Sequence, residues 1–110
     1  MTNDTPAARV TVRLYTVVNQ DGELQRGYTQ DSQIPVGYQV TVDVVAKDAD
    51  GLETTGQGPL EFQFSNSKLV RVGGNHRYQR KLTVLKPGEL IVTATLDGVE
   101  SNPLTLHLGG

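Results

Sequence analysis

The chain has 110 residues, a formal net charge of −2, 36% apolar side chains and no cysteine. That length suits one domain, which at roughly two-thirds burial of its unfolded surface requires no covalent staple. Without cysteine there is no disulfide framework, thiolate zinc site or thiol catalysis; the small net charge gives no global field toward nucleic acid or membrane, and no apolar run could span a bilayer.

The opening Met1-Thr2-Asn3-Asp4-Thr5-Pro6 has neither a basic n-region nor an apolar h-region. Residues 1–8 are therefore expected to be a disordered tail without a secretory signal. The chain reads as an excised domain with an added Met or, less favoured, as a short protein that reaches its place without Sec export. Period-two alternation then begins. Val10, Val12 and Leu14 share one face of a first strand, with Thr11, Arg13 and Tyr15 opposite. The next stretch, 19–33, is polar and predicts a long loop with a short hairpin around Asp21-Gly22. Tyr38, Val40, Val42, Val44 and Ala46 give the cleanest alternation, interleaved with Gln39, Thr41, Asp43 and Lys47. A Gly-rich connection over 47–59 leads to Leu60, Phe62 and Phe64, then to Val70 and Val72, Leu82 and Val84, and Leu90, Val92 and Ala94, where Ile91 breaks the polar face. Leu104, Leu106 and Leu108 close the series. Half-buried strands need this pattern because successive side chains point to opposite faces. Turn residues separate the runs at Asp50-Gly51, Gly73-Gly74-Asn75, Pro87-Gly88 and Asp97-Gly98. The expectation is an all-β fold: a seven-stranded antiparallel sandwich with Greek-key connections over 9–108, with Phe62 and Phe64 in its core and Gly109-Gly110 as a C-terminal tail or linker.

Three stretches in order carry a family resemblance. Ile34-Pro35-Val36-Gly37-Tyr38-Gln39-Val40-Thr41-Val42, followed by the Asp48-Ala49-Asp50-Gly51 turn, resembles the lead-in to the second strand of bacterial immunoglobulin-like domains of group 2. Phe62 to Val72, with Ser65-Asn66-Ser67 inside it, and Lys86 to Ala94 resemble later strands of the same family. The resemblance covers about residues 34–108. It departs from the family at Phe62 and Phe64, where Trp is common, and in the longer 19–33 loop. It implies an immunoglobulin-like β-sandwich used as a module of cell-surface adhesins, envelope proteins, secreted glycan-active enzymes or phage virion proteins. It implies an extracellular, envelope or virion location and no catalytic residues.

The residues themselves show no nucleophile elbow, HExxH or P-loop, and His76 and His107 are the only histidines. No enzyme activity and no obligatory cofactor are expected. Asp-x-Asp-Gly at Asp48 to Gly51 reads first as a self-capping turn that needs no metal; the lesser alternative is calcium, for which Asp48, Asp50 and Glu53 offer oxygen ligands. Charge is unevenly spread. Between Glu61 and Glu89 there is no acid, whereas Lys68, Arg71, Arg77, Arg80, Lys81 and Lys86 supply six of the ten basic residues. His76, Arg77, Tyr78, Arg80, Lys81, Arg71 and Lys68 are thus the candidate partner-binding residues, suited to an acidic protein surface or an anionic glycan. Nucleic acid is disfavoured because no aromatic platform accompanies the charge. The plainer alternative is a basic strand edge that deters edge-to-edge pairing. Arg77→Ala with Arg80→Ala is expected to leave the melting midpoint nearly unchanged and to abolish any anionic partner binding; a sharply lower melt would make the strip structural rather than a binding face. The expected function is a non-catalytic spacer or adhesive module. Its rival is a carbohydrate-binding module using Tyr15, Tyr28 or Tyr78, residues that fall on separate elements.

Overall fold

The computed structural model describes residues 3–74 and 76–109. Ten strands run through them: β1 (Arg9–Val18), β2 (Leu24–Gln25), β3 (Gln33–Ile34), β4 (Gln39–Lys47), β5 (Glu61–Phe64), β6 (Val70–Gly73), β7 (Gln79–Val84), β8 (Gly88–Leu96), β9 (Val99–Glu100) and β10 (Leu104–Leu108). They form two sheets in a sandwich-like arrangement. The first has the order β2-β1-β4-β7-β6; the second has β3-β10-β8-β5, with β9 added to β8.

The seven expected strands are present as β1, β4, β5, β6, β7, β8 and β10. The three others are two-residue strands, too short to carry a periodic signal. β2 closes the expected hairpin around Asp21-Gly22, where the Asn19 carboxamide accepts the backbone N–H groups of Asp21 and Glu23, both at 2.9 Å. β3 corrects the all-antiparallel expectation, because it lies parallel to β10, with Gln33 opposite His107 and Ile34 opposite Leu108. The chain leaves the first sheet after β2, touches the second at β3 and returns to the first for β4, so β3 arrives in the same direction as β10.

The inward residues make an aliphatic core. Val40, Val42, Leu82, Leu90, Val92, Ala94, Leu96 and Leu106 are all fully buried. β4 holds the centre of the first sheet, paired to β1 on one side and β7 on the other. A bulge between Leu14 and Thr16 shifts the register of β1, so Val17 returns to the core after the even-numbered Val10 and Val12. Phe62 and Phe64 do not enter the sealed core. They sit half-buried on the edge strand β5, their rings nearly parallel with centroids 6.4 Å apart.

Met1, Thr2 and Gly110 lie outside the described residues, but within them Ala7, Ala8 and Gly109 are held by the fold. Ala7 is buried, and Ala8 donates its N–H to the Lys47 carbonyl at 2.8 Å. Gly109 donates to the Ile34 carbonyl at 2.7 Å, and at φ 93° a Cβ there would lie 2.6 Å from that of Pro87. Next to β2 the free edge of β1 is also occupied: the Asn102 carboxamide accepts the Val12 N–H at 3.1 Å and donates to its carbonyl at 3.2 Å. That side chain imitates a paired strand and ties the two sheets together.

Candidate functional site

Four segments converge at one end of the sandwich: residues 3–8, the 47–59 connection, the β6–β7 hairpin tip and the β8–β9 turn. The sequence marks Asp97-Gly98 as a turn, and both residues have positive φ, 54° and 79°, as a two-residue hairpin loop of the favoured twist requires. That turn aims the Asp97 carboxylate inward. It accepts the N–H groups of Ala7 at 2.8 Å, Gly58 at 2.5 Å and Gln57 at 3.1 Å. These bonds, led by the one from Ala7 and helped by nearby Arg77, hold the carboxyl below the ordinary carboxylate range. Gly56 belongs to the same cluster, since at φ 73° its Cβ would meet Leu96 Cδ2 at 2.8 Å.

A second carboxylate organises the 47–59 connection. Asp48 accepts the Asn3 carboxamide at 3.1 Å and the N–H groups of Asp50 and Leu52 at 2.9 and 3.0 Å. The Asn3 bond, then the backbone bonds, lower its pKa. The buried Thr54 hydroxyl donates to the Thr5 carbonyl and accepts the Gly56 N–H at 3.0 Å. Of the candidate calcium residues, Asp48 faces N–H donors of its own turn, Asp50 is exposed, and Glu53 lies across a backbone bridge from Lys47. Among the described residues no group of three His, Asp or Glu side chains is placed to hold a metal ion.

Beneath this end, on the outer face of the first sheet, lies a polar groove of about 450 Å³ lined in part by Arg13, Asp43, Glu53, His76, Tyr78 and Gln79. Its floor is a cross-strand row in which Arg13 stands opposite Asp43 and Asp43 opposite Gln79. Arg13 donates Nε and Nη2 to the two Asp43 oxygens at 2.8 and 3.1 Å, a two-point geometry stronger than a single ionic contact. The bond that Arg13 donates to Asp43, and then the Asp43 charge, raise the Arg13 pKa. His76 Nδ1 accepts the Tyr78 N–H at 3.2 Å, and the Tyr78 hydroxyl donates to the Thr55 carbonyl at 2.7 Å. Neither the Arg13–Asp43 pair nor the Asp97 anchor stood out in the sequence. Arg13 and Asp43 alternate with core residues like any outward polar pair, and Asp97 looks like turn chemistry alone.

The structure divides the basic strip of 68–86. Arg71 and Lys81 point outward from the first sheet as diagonal neighbours, with Arg71 opposite Thr83 and Lys81 opposite Gly73. Lys68 lies exposed in the turn before β6. Arg77 and Arg80 are committed within the molecule. Arg77 donates to the Gly58 carbonyl at 2.8 Å, and its guanidinium lies 5.1 Å from the Tyr78 ring centre. Arg80 shares the inward face with Leu82, lies 4.6 Å from the Phe62 ring centre, and donates to the His76 and Gln79 carbonyls, each at 2.7 Å. Asn75 lies outside the described residues. The silent double alanine variant expected from sequence therefore gives way to a measurable loss. Arg80→Ala should cost about 1–2 kcal/mol through its cation–ring contact and carbonyl bonds. Lys81→Ala should stay within about 0.5 kcal/mol of wild type. Chemical denaturation of the two variants checks the contrast; equal midpoints would remove Arg80 from the structural set.

The tyrosines regroup as well. Tyr15, at the β1 bulge, and Tyr28 line one hollow of about 350 Å³ together with Leu24 and Arg26. Tyr28 also packs on Tyr38, with ring centroids 6.3 Å apart, and Tyr78 lies in the other groove. Compared with known proteins, the chain matches no family model and no curated protein.

Proposed function

We propose that this chain is a non-catalytic immunoglobulin-like module that serves as a spacer and partner-binding domain in a bacterial cell-surface, secreted or virion assembly. The order β1-β4-β7-β6 facing β3-β10-β8-β5 supports the immunoglobulin-like part of this reading. The setting rests on the resemblance over 34–108. One observation carries the interaction role: Arg9, Lys47, Arg71 and Lys81 are exposed on the outward side of the first sheet, while the single acid on its strands, Asp43, is taken by Arg13. Glu53 lies beside Lys47 at the groove on the same side, so the face is predominantly rather than wholly basic. A predominantly basic solvated face attracts an anionic partner, here an acidic protein surface or anionic glycan.

Although the net charge is −2, wild type should be retained on a sulfated-polysaccharide column at about 0.01 M salt and released as screening rises. Arg71→Glu with Lys81→Glu should flow through and keep the wild-type melt. Wild type that fails to bind at low salt would sink the basic-face reading.

The hollow between Tyr15 and Tyr28 favours a second reading, a carbohydrate-binding module. Tyr15 is 55% exposed and Leu24 56%, so an apolar sugar face has two side chains to meet. A glycan array separates the readings. Neutral-glycan signal lost in Tyr15→Ala supports the second, and silence on neutral glycans eliminates it.

A further inference from the structure

We propose that the two outer faces of the sandwich are complementary docking surfaces, such that the basic face of the first sheet in one copy seats on the acidic face of the second sheet in another copy. The proposal rests on the module reading only in taking the first sheet's outer face as a docking face.

Charge is sorted by sheet. Strands β1, β2, β4, β6 and β7 carry Arg9, Arg13, Lys47, Arg71, Arg80 and Lys81 against Asp43 alone. Strands β3, β5, β8, β9 and β10 carry Glu61, Glu89 and Glu100 with no Lys or Arg. Arg80 points inward, which leaves five basic residues on the outer side of the first sheet. The register puts all three glutamates on the outer side of the second: Glu61 and Glu100 both stand opposite Thr95, and Glu89 stands opposite His107. His107 Nδ1 is 3.8 Å from the Glu89 carboxylate. The connecting loops carry both signs, so the segregation belongs to the strands.

The acidic face also has an apolar centre. Ile91, 38% exposed, stands opposite Thr105; its carbonyl accepts the Ser65 N–H at 3.0 Å and its N–H donates to the Ser65 hydroxyl at 2.9 Å. An apolar contact ringed by charged and polar groups is the general layout of a specific interface.

The occupant is a second copy because the matching surface, whose strands carry three glutamates and no Lys or Arg, lies on the other side of the same molecule. Two basic faces repel, so these faces exclude a twofold dimer through either one. Unlike faces join head to tail and build a ring or an open stack.

The test is sedimentation velocity of the full chain at about 0.01 M and 1 M salt, where the screening length falls from roughly 30 to 3 Å. Wild type should associate with rising concentration at low salt and be monomeric at high salt. Glu61→Lys/Glu89→Lys/Glu100→Lys has two basic faces; Arg71→Glu/Lys81→Glu cancels the charge of the first sheet's outer side, leaving Arg9, Arg13 and Lys47 against Asp43 and the two new carboxylates. Each alone should weaken association on the order of tenfold or more, and mixing the two should restore it. Where a lysine variant does not melt like wild type, its Gln counterpart replaces it and should show the same loss of association. Wild type that stays monomeric at low salt, or association indifferent to both reversals, or a mixture no stronger than its components, overturns the proposal. Column retention without self-association sinks the stacking alone; self-association without column retention sinks the anionic-partner reading alone.

Discussion

Val42→Asp is expected to abolish the folded state, seen as loss of the cooperative melt and of proton chemical-shift dispersion. Val42 is fully buried at the middle of β4, between Leu14 on β1 and Arg80 on β7. Removing a buried Val forfeits about 1.5–3 kcal/mol. Sealing a carboxylate in its place adds several kcal/mol even after relaxation. Together these approach the roughly 5–15 kcal/mol that holds a domain of this size together. The neighbouring residue shows that face, not composition, decides the outcome. Asp43 is native, almost as buried at 7% exposed, and tolerated because it points outward onto the Arg13 fork. One step along a strand exchanges the two faces; the cation across from position 42, Arg80, is already held by the Phe62 ring and the His76 and Gln79 carbonyls. Val42→Thr, which keeps the shape, should cost only about 1–3 kcal/mol and stay folded. A Val42→Asp protein melting at the wild-type midpoint would contradict the central place of β4.

Asp97→Ala should produce the other large effect, and its pH dependence identifies the cause. Ala7, Gln57 and Gly58 lose their common acceptor, and Ala must also adopt the left-handed φ of 54° that Asp tolerates. Asp97→Gly removes the carboxylate without that strain, so its midpoint should lie between Asp97→Ala and wild type. Asp97→Asn keeps one acceptor oxygen and should be milder than either. A carboxyl whose folded pKa is depressed contributes its stability in full above the unfolded value of 3.8, and loses it as pH falls through the folded pKa. Wild type should therefore hold a level midpoint from neutral pH to slightly above that value and decline below it. The gap between wild type and Asp97→Asn should narrow over the same acidic range. Asp48 is shifted in the same direction, so Asp48→Asn should show the same convergence. A gap that does not change with pH would mean that the carboxylate charge at 97 contributes nothing to the fold.

Much of the fold was legible because burial of one face per sheet writes itself into alternate residues. Val40 to Ala46 and Leu104 to Leu108 could be placed from spacing alone. The bulge that brings Val17 inward was less legible, since it reverses the parity that Val10 and Val12 set. The site was hardly legible. Asp97 reaches Ala7 across 90 positions and Asn3 reaches Asp48 across 45; no local pattern records such pairs. Arg80 looked like one member of a cationic run, and only the register of β7 turns it toward Phe62.

The sequence by itself determined an all-β chain, its seven longer strands and the imbalance of charge along it, because alternation, turn residues and composition are local properties. Tertiary structure decided which charges share a surface. Pairing β1, β4, β7 and β6 in one sheet collects Arg9, Arg13, Lys47, Arg71 and Lys81 from distant parts of the chain, and the crossing of β5, β8 and β10 to the other sheet leaves that face to glutamate. Strand order is set by long-range hydrogen bonding and core packing, so a dipole across the sandwich forms that a linear run at 68–86 only hinted at.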